Sequence, residues 1–294
     1  MSDPDPLPAP DRMLDLLDQG DIEKTVACLD RLSTGDADTR KRSLRALRNV
    51  AEERSTAFEG LAAPLSAFLT DYVRARCAEA LGYVAVEAPD AVTDPETLAD
   101  LRLGLKFDES EVKEKLAKAL AYVALGDPNR LRHQVSSLAV YLDDDNELVR
   151  YHLCTALVVV GCEHSEKLSA AESALRECLF DENLYVRGRA AEALALFVDS
   201  NQEVESISVL DDIGAEDDDA PSFLTDRVRF LQERFNDTQS ESALAGVGTI
   251  ESVRERTDDV VEEMMSADDG ECPHCGLELS ESGPPMCPRC GAPR

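Results

Sequence analysis

Apolar residues recur along this chain at close to helical spacing, and the pattern is itself repeated. Four segments fall into register: DYVRARCAEALGYVA from Asp71, SEVKEKLAKALAYVA from Ser110, ELVRYHLCTALVVVG from Glu147 and LYVRGRAAEALALFV from Leu184. Each places apolar or small residues at an anchor and at four, seven, eight and eleven residues beyond it, as Val112, Leu116, Ala119, Leu120 and Val123 do in the second. Such spacing forms one stripe of a 3.6-residue period. The anchors Val73, Val112, Val149 and Val186 lie 39, 37 and 37 residues apart, and a weaker copy, DTRKRSLRALRNVA, puts Thr39 in the same place 34 residues earlier. Between the copies run second amphipathic segments, FEGLAAPLSAFL, PETLADLRLGLKF, LRHQVSSLAVYL and AESALRECLF, most of them ending in an acidic turn such as DDDN or DEN. Asp and Asn there can cap the following helix by accepting its free backbone N–H groups. The unit is helix, turn, helix, and its repetition predicts an all-α solenoid of about five helical hairpins over residues 12–199.

The pattern D…VRxxAxxALxxV resembles HEAT-like repeats, including those of the phycobilisome-lyase type, over roughly residues 21–199. The first copy departs from it, with Thr39 and Ser43 at core positions, as suits a terminal repeat whose outer side meets water. The resemblance implies an α-solenoid that offers an extended surface to a protein partner. It also implies that the basic residue one place past the anchor ties neighbouring repeats through turn aspartates. That row is Arg40, Arg74, Lys113, Arg150 and Arg187.

Around this body the texture changes. Residues 1–11 read as a disordered start. The stretch 200–221 reads as an acidic linker, since eight acidic and no basic residues lie from Glu203 to Asp219. Two short helices are expected within 222–266. SFLTDRVRFLQERF aligns Leu224, Val228, Leu231 and Phe235 on one face and is expected to dock on the last repeat. TIESVRERTDDVVEEMMSA sets Ile250, Val253, Val260 and Met264 near a common face. It reads as a spacer, the alternative being a partner-binding helix with Met264 and Met265 as adaptable contacts.

The final segment, 267–294, holds Cys272, Cys275, Cys287 and Cys290 in the spacing C-x2-C-x11-C-x2-C. Two tight turns each presenting two thiolates complete a tetrahedral shell, so the segment predicts a zinc ribbon with one structural Zn²⁺. Few apolar residues lie between the knuckles, which makes the metal the source of the folding free energy. The other five cysteines are scattered singly and read as reduced thiols.

Composition narrows the function classes. The formal charge of −30 arises from 60 acidic against 30 basic residues, a balance that resembles the proteomes of salt-loving, haloarchaeal cells. No apolar run approaches a membrane span and the first residues lack a signal-peptide pattern, so a cytoplasmic protein with no membrane partner is expected. No His-Glu dipeptide of the kind that holds di-iron in deoxyhypusine hydroxylase occurs, and neither GxxxxGK nor GxGxxG is present. These features favour a non-enzymatic scaffold or adaptor for protein partners, with the ribbon as a second contact module. A nucleic-acid accessory role acting through the ribbon, where Arg289 and Arg294 add local positive charge, is the first alternative. A tetrapyrrole (bilin) lyase or isomerase, from the repeat resemblance, is the second, and co-purification of a coloured ligand would raise it.

One further pattern concerns binding. Three places past each anchor stand Arg42, Arg76, Lys115, His152 and Arg189, a basic row flanking the apolar stripe. The row is either a solvated face balanced by neighbouring glutamates or a ladder that receives an acidic segment. That segment would come from a partner or from the chain's own stretch Glu203 to Asp219.

Overall fold

The computed structural model describes residues 15–17, 19–32, 43, 47–52, 61, 74–92, 95–200, 220–236 and 247–265. Among these residues the chain is an α-solenoid. We number its α-helices α1 (Ile22–Leu32), α2 (Arg74–Glu87), α3 (Pro95–Leu103), α4 (Ser110–Gly126), α5 (Val135–Ala139), α6 (Glu147–His164), α7 (Glu172–Cys178), α8 (Leu184–Ser200), α9 (Ser222–Phe235) and α10 (Ile250–Met265). Short 3₁₀ turns punctuate the series at Pro89–Val92, Gly104–Lys106, Pro128–Arg130 and Ser165–Ala170.

The long helices α2, α4, α6 and α8 stack side by side in chain order, and α9 packs on α8. The shorter α3 and α7 pack against α4 and α8, and α5 lies beside α6. The expected stripe forms the core: Leu116, Ala119, Leu120 and Val123 of α4, Val149, Leu153, Ala156, Leu157 and Val160 of α6, and Val186, Ala190, Ala193 and Leu194 of α8 are all buried. Alanine at recurrent stripe positions lets these helices approach closely, and Gly126 marks the tightest point. A Cβ there would overlap the Ala85 carbonyl of α2.

Turn chemistry fixes each start. Asn146 caps α6, its Oδ1 accepting from Leu148 N at 2.8 Å and Val149 N at 3.3 Å. Asn183 does the same for α8, accepting from Tyr185 N at 2.9 Å and Val186 N at 3.3 Å. These caps also bridge repeats, because Asn146 Nδ2 donates to Ser110 Oγ at 2.7 Å and Asn183 Nδ2 donates to Glu147 Oε2 at 2.7 Å. One residue type, three before the anchor, thus closes a helix and joins it to the previous repeat.

Two described members of the row one place past the anchor tie neighbouring repeats, while Arg187 donates to the Asp181 carbonyl of the turn before its own helix. Lys113 reaches Asp144 at 2.6 Å, and Arg150 grips Asp181 through Nε at 2.6 Å and Nη2 at 2.8 Å. The weaker copy's anchor Thr39, the acidic run Glu203 to Asp219, the start 1–11 and the segment 267–294 lie outside the described residues.

Candidate functional site

Sequence spacing placed the second basic row beside the apolar stripe, and the structure shows where its described members go. Arg42 lies outside the described residues, as does the side chain of Arg76 in α2. Lys115 of α4 stands 2.6 Å from Glu114 and 3.5 Å from Glu79 of α2. His152 of α6 and Arg189 of α8 are fully buried. Among the described residues, then, the row is not an open cationic ladder: ion pairs take up Lys115, and packing encloses His152 and Arg189.

α10 lies over Arg189, the row's member in α8. It packs along α6, and its side chains reach the helices on either side. From α4, Tyr122 Oη donates to Asp258 Oδ1 at 2.5 Å and Lys118 Nζ lies 3.1 Å from the same oxygen. From α8, Arg189 Nη2 donates to Thr257 Oγ1 at 3.2 Å and Tyr185 Oη donates to Glu263 Oε2 at 2.8 Å. In return, Arg254 Nη2 donates to the Leu125 carbonyl at the end of α4, at 2.7 Å. Val253, Val260 and Val261 supply the apolar seat, with Met264 half-buried beside it. The spacer reading of this helix therefore gives way to a docked one, because its valines share a face that the α4–α6–α8 layer can bury. The α10 carboxylates Asp258 and Glu263 meet Lys118, Tyr122 and Tyr185, none of which belongs to the row.

Beneath α10 sits a buried ionic cluster. Glu192 Oε2 accepts from Arg189 Nη1 and from Arg227 Nε of α9, each at 2.8 Å, while Oε1 accepts from Gly248 N at 2.8 Å. All three side chains are fully buried. Arg189 also donates to Tyr151 Oη at 3.2 Å, and the Arg227 guanidinium stacks on Phe223 at 3.6 Å from the ring centroid. Burial by itself would raise the Glu192 carboxyl; the two guanidiniums and the Gly248 N–H outweigh it and hold the group below its ordinary value. Gly248 has φ +76°, a left-handed conformation that glycine adopts freely, and this turn delivers the chain to the start of α10.

His152 lies among cations. Burial, then Lys118, Lys115 and Arg189, press its pKa well below the usual value, so the ring is neutral, and among the described residues neither ring nitrogen has a hydrogen-bond partner. Burial pushes the Cys162 thiol up to about 12, and its Sγ donates to the Gly248 carbonyl at 3.5 Å, which suits a packed thiol and not a nucleophile.

A separate cleft of about 540 Å³ opens between α5, α6 and α7, lined by Asp143, Asp144, Asp145, Asp181 and Arg150. Lys113 and Arg150 already hold its Asp144 and Asp181 carboxylates, so it is the seam between repeats. The cysteines Cys272, Cys275, Cys287 and Cys290 lie outside the described residues, as does any geometry they make.

Comparisons with known proteins agree with this architecture. A family model of HEAT repeats matches residues 135–222. That stretch, from α5 to the start of α9, is similar to HEAT repeats. The chain is similar to an engineered protein at 23% identity and TM-score 0.60, covering 71% of this chain and 95% of that one. It is likewise similar to a designed armadillo repeat protein in complex with the peptide (KR)4, at 20% identity and TM-score 0.60, covering 71% and 98%. A further engineered protein, at 22% identity and TM-score 0.61, covers 88% of this chain and 67% of its own length. At these identities the likeness is one of fold. No curated protein matches. Among the described residues no helix is long and apolar enough to cross a membrane.

Sequence reasoning passed over Glu192 and Arg227, although both left a signal. Arg227 falls on the apolar face of its helix, between Leu224 and Val228, where a charge requires a buried partner. Glu192 stands three residues after Arg189, and Glu79 stands three after Arg76.

Proposed function

We propose that this repeat protein is a non-enzymatic scaffold whose helical layer receives a segment of a partner protein. One observation carries the reading: the α4–α6–α8 layer already receives a helix across three repeats, through valines buried on α6 and hydrogen bonds to α4 and α8. Repeat stacking creates such a surface because each hairpin adds one row of side chains to a continuous face. The shared fold of the designed armadillo protein that holds (KR)4 supports a peptide or protein as the bound species. Cys272, Cys275, Cys287 and Cys290 would hold one structural Zn²⁺. The ribbon so formed is a second contact module that adds avidity when both modules meet one assembly.

A photo-crosslinking residue placed singly on the repeats, at Lys118 and at exposed Val140 or Phe180, and once in the segment 276–286, tests the proposal in a high-salt lysate. One protein set crosslinked from the repeats is the expected result. Nucleic acid recovered through the 276–286 probe, with no protein from the repeats, would overturn the reading and favour an accessory role at a nucleic acid.

A further inference from the structure

We propose that α10 is an internal stand-in for the partner, and that the face it covers on α4, α6 and α8 binds an acidic amphipathic helix of another protein by displacing it. This inference rests on the scaffold reading and names the surface and the ligand chemistry.

Three observations converge. First, α10 and α9 are held differently. α9 buries Phe223, Leu224, Val228, Phe230 and Leu231 together with the Arg227 guanidinium, and so completes the core over α8. The buried apolar side chains of α10 are three valines, and its anchoring carboxylates stand at the rim, Asp258 being 60% exposed. A helix held by few apolar groups and rim contacts opens before the core does.

Second, the contacts spell out a ligand. Counting from Val253, the seat takes apolar residues at the first, eighth and ninth places, a small hydroxyl at the fifth where Thr257 meets Arg189, and carboxylates at the sixth and eleventh. The two carboxylates meet Lys118 with Tyr122, and Tyr185. Any acidic helix with this spacing presents the same face.

Third, α6, along which α10 packs, holds an unsatisfied buried group. His152, at the place in α6 that Arg189 takes in α8, is fully buried within the electrostatic reach of Lys118, Lys115 and Arg189, and among the described residues neither ring nitrogen has a partner. Buried polar groups are ordinarily satisfied, and an orphan on a binding floor points to an occupant that supplies what the present one lacks. A partner helix bearing a hydroxyl or carboxylate at this point would pair with the imidazole.

Ten residues, Asp237 to Gly246, connect α9 to the turn before α10. The covalent connection makes docking of α10 intramolecular, so it competes with free ligands at a raised effective concentration. The internal helix therefore masks the face from weak ligands and yields to a better one.

The test uses the full chain and a fluorescent peptide with the sequence of residues 247–265. Wild type should bind the peptide at least ~10-fold more weakly than the double variant V253D/V260D, whose own helix cannot seat. Adding K118E to that variant should weaken its peptide binding by about 2- to 5-fold. Equal affinities for wild type and the released variant, or indifference to K118E, would overturn the inference. Hydrogen exchange on the wild-type chain supplies an independent reading should the double variant misfold. Amides of α10 should exchange as a unit faster than those of α8 and α9, and exchange only with global opening would make α10 integral and sink the proposal. A concentration-dependent wild-type dimer would name a second copy as occupant and also overturn it. Should the peptide fail while partners still crosslink through Val140 or Phe180, the scaffold stands and only this assignment falls.

Discussion

Replacing Glu192 by Gln is the sharpest probe of the architecture. The carboxylate is fully buried and accepts three hydrogen bonds at 2.8 Å, two of them from guanidiniums that are themselves fully buried. The amide is almost isosteric, so packing survives, but two positive charges are left enclosed without a counter-charge, and the new NH₂ donor faces donors. Removing one partner of a buried ion pair costs about 3–5 kcal/mol. That is a large share of the ~5–15 kcal/mol that holds a typical domain together. For a domain of this size each kcal/mol shifts the midpoint by ~2–4 °C, so Tm should fall by roughly 6–20 °C. Urea unfolding followed by circular dichroism measures the loss directly. A companion triple variant, Arg189→Met, Glu192→Leu and Arg227→Met, removes every charge at once and should recover most of it, since apolar substitution of a whole buried cluster is often neutral. A cost for Glu192→Gln under ~1 kcal/mol, or a triple variant as unstable as the single, would refute the account of a buried net charge. The pH sign follows from the depressed carboxyl. Its contribution is present above the unfolded-state value of ~4.3 and is lost as pH falls through the lower folded-state value.

The remaining expectations are quickly stated. His152 has a folded pKa well below its ordinary value, so the unfolded chain takes up the extra proton below pH ~6.5; stability should drop by up to ~1.4 kcal/mol per pH unit there, and the difference between wild type and His152→Leu across pH 7.5 to 5.5 should show that slope. Arg150→Ala removes both hydrogen bonds of the bidentate pair with Asp181, and a loss of about 1.5–3 kcal/mol in urea unfolding is expected, against no change if the seam is ornamental. Gly126→Ala forces a Cβ onto the Ala85 carbonyl and should cost about 1–3 kcal/mol, where an open helix position would instead gain from alanine. Cys275→Ser should abolish stoichiometric zinc measured by atomic emission while leaving the helical circular dichroism of the repeats intact; retained zinc would discard the four-thiolate assignment.

Much of the solenoid was legible in the sequence because its determinants are local. The stripe positions, the asparagine three before the anchors Val149 and Val186 and the aspartate two before that asparagine all act within one turn of where they stand, or on the adjacent repeat. Val149, Asn146 and Asp144 recur as Val186, Asn183 and Asp181 for that reason. The fate of the second row was not legible. Whether Arg189 faces water or a lid depends on residues 60 to 70 places later folding back onto it, and helical period carries no information about that return. The row's own composition held a hint, since the Arg189 and Glu192 pair repeats Arg76 and Glu79. A solvated pair and a buried pair are written in the same letters. Only Arg227, a charge set on an apolar face, separated them.

The distribution of cations explains how one layer can be both core and binding face. In a chain carrying 30 basic residues against 60 acidic ones, positive charge is scarce, and its placement is therefore informative. Lys113 and Arg150 are committed to the seams between repeats, and Arg189 with Arg227 to a cluster from which water is excluded. Salt screens such enclosed pairs weakly. Lys118 is different, because its partner Asp258 stands largely in solvent, where a pair contributes only ~0.2–1 kcal/mol and fades as the screening length contracts from ~10 Å at 0.1 M salt to ~3 Å at 1 M. Ionic strength thus leaves the stacked repeats untouched while loosening the rim that holds α10. Its valine seat, insensitive to screening, then decides which helix occupies the face, and a partner competes chiefly on apolar fit and on what it offers His152.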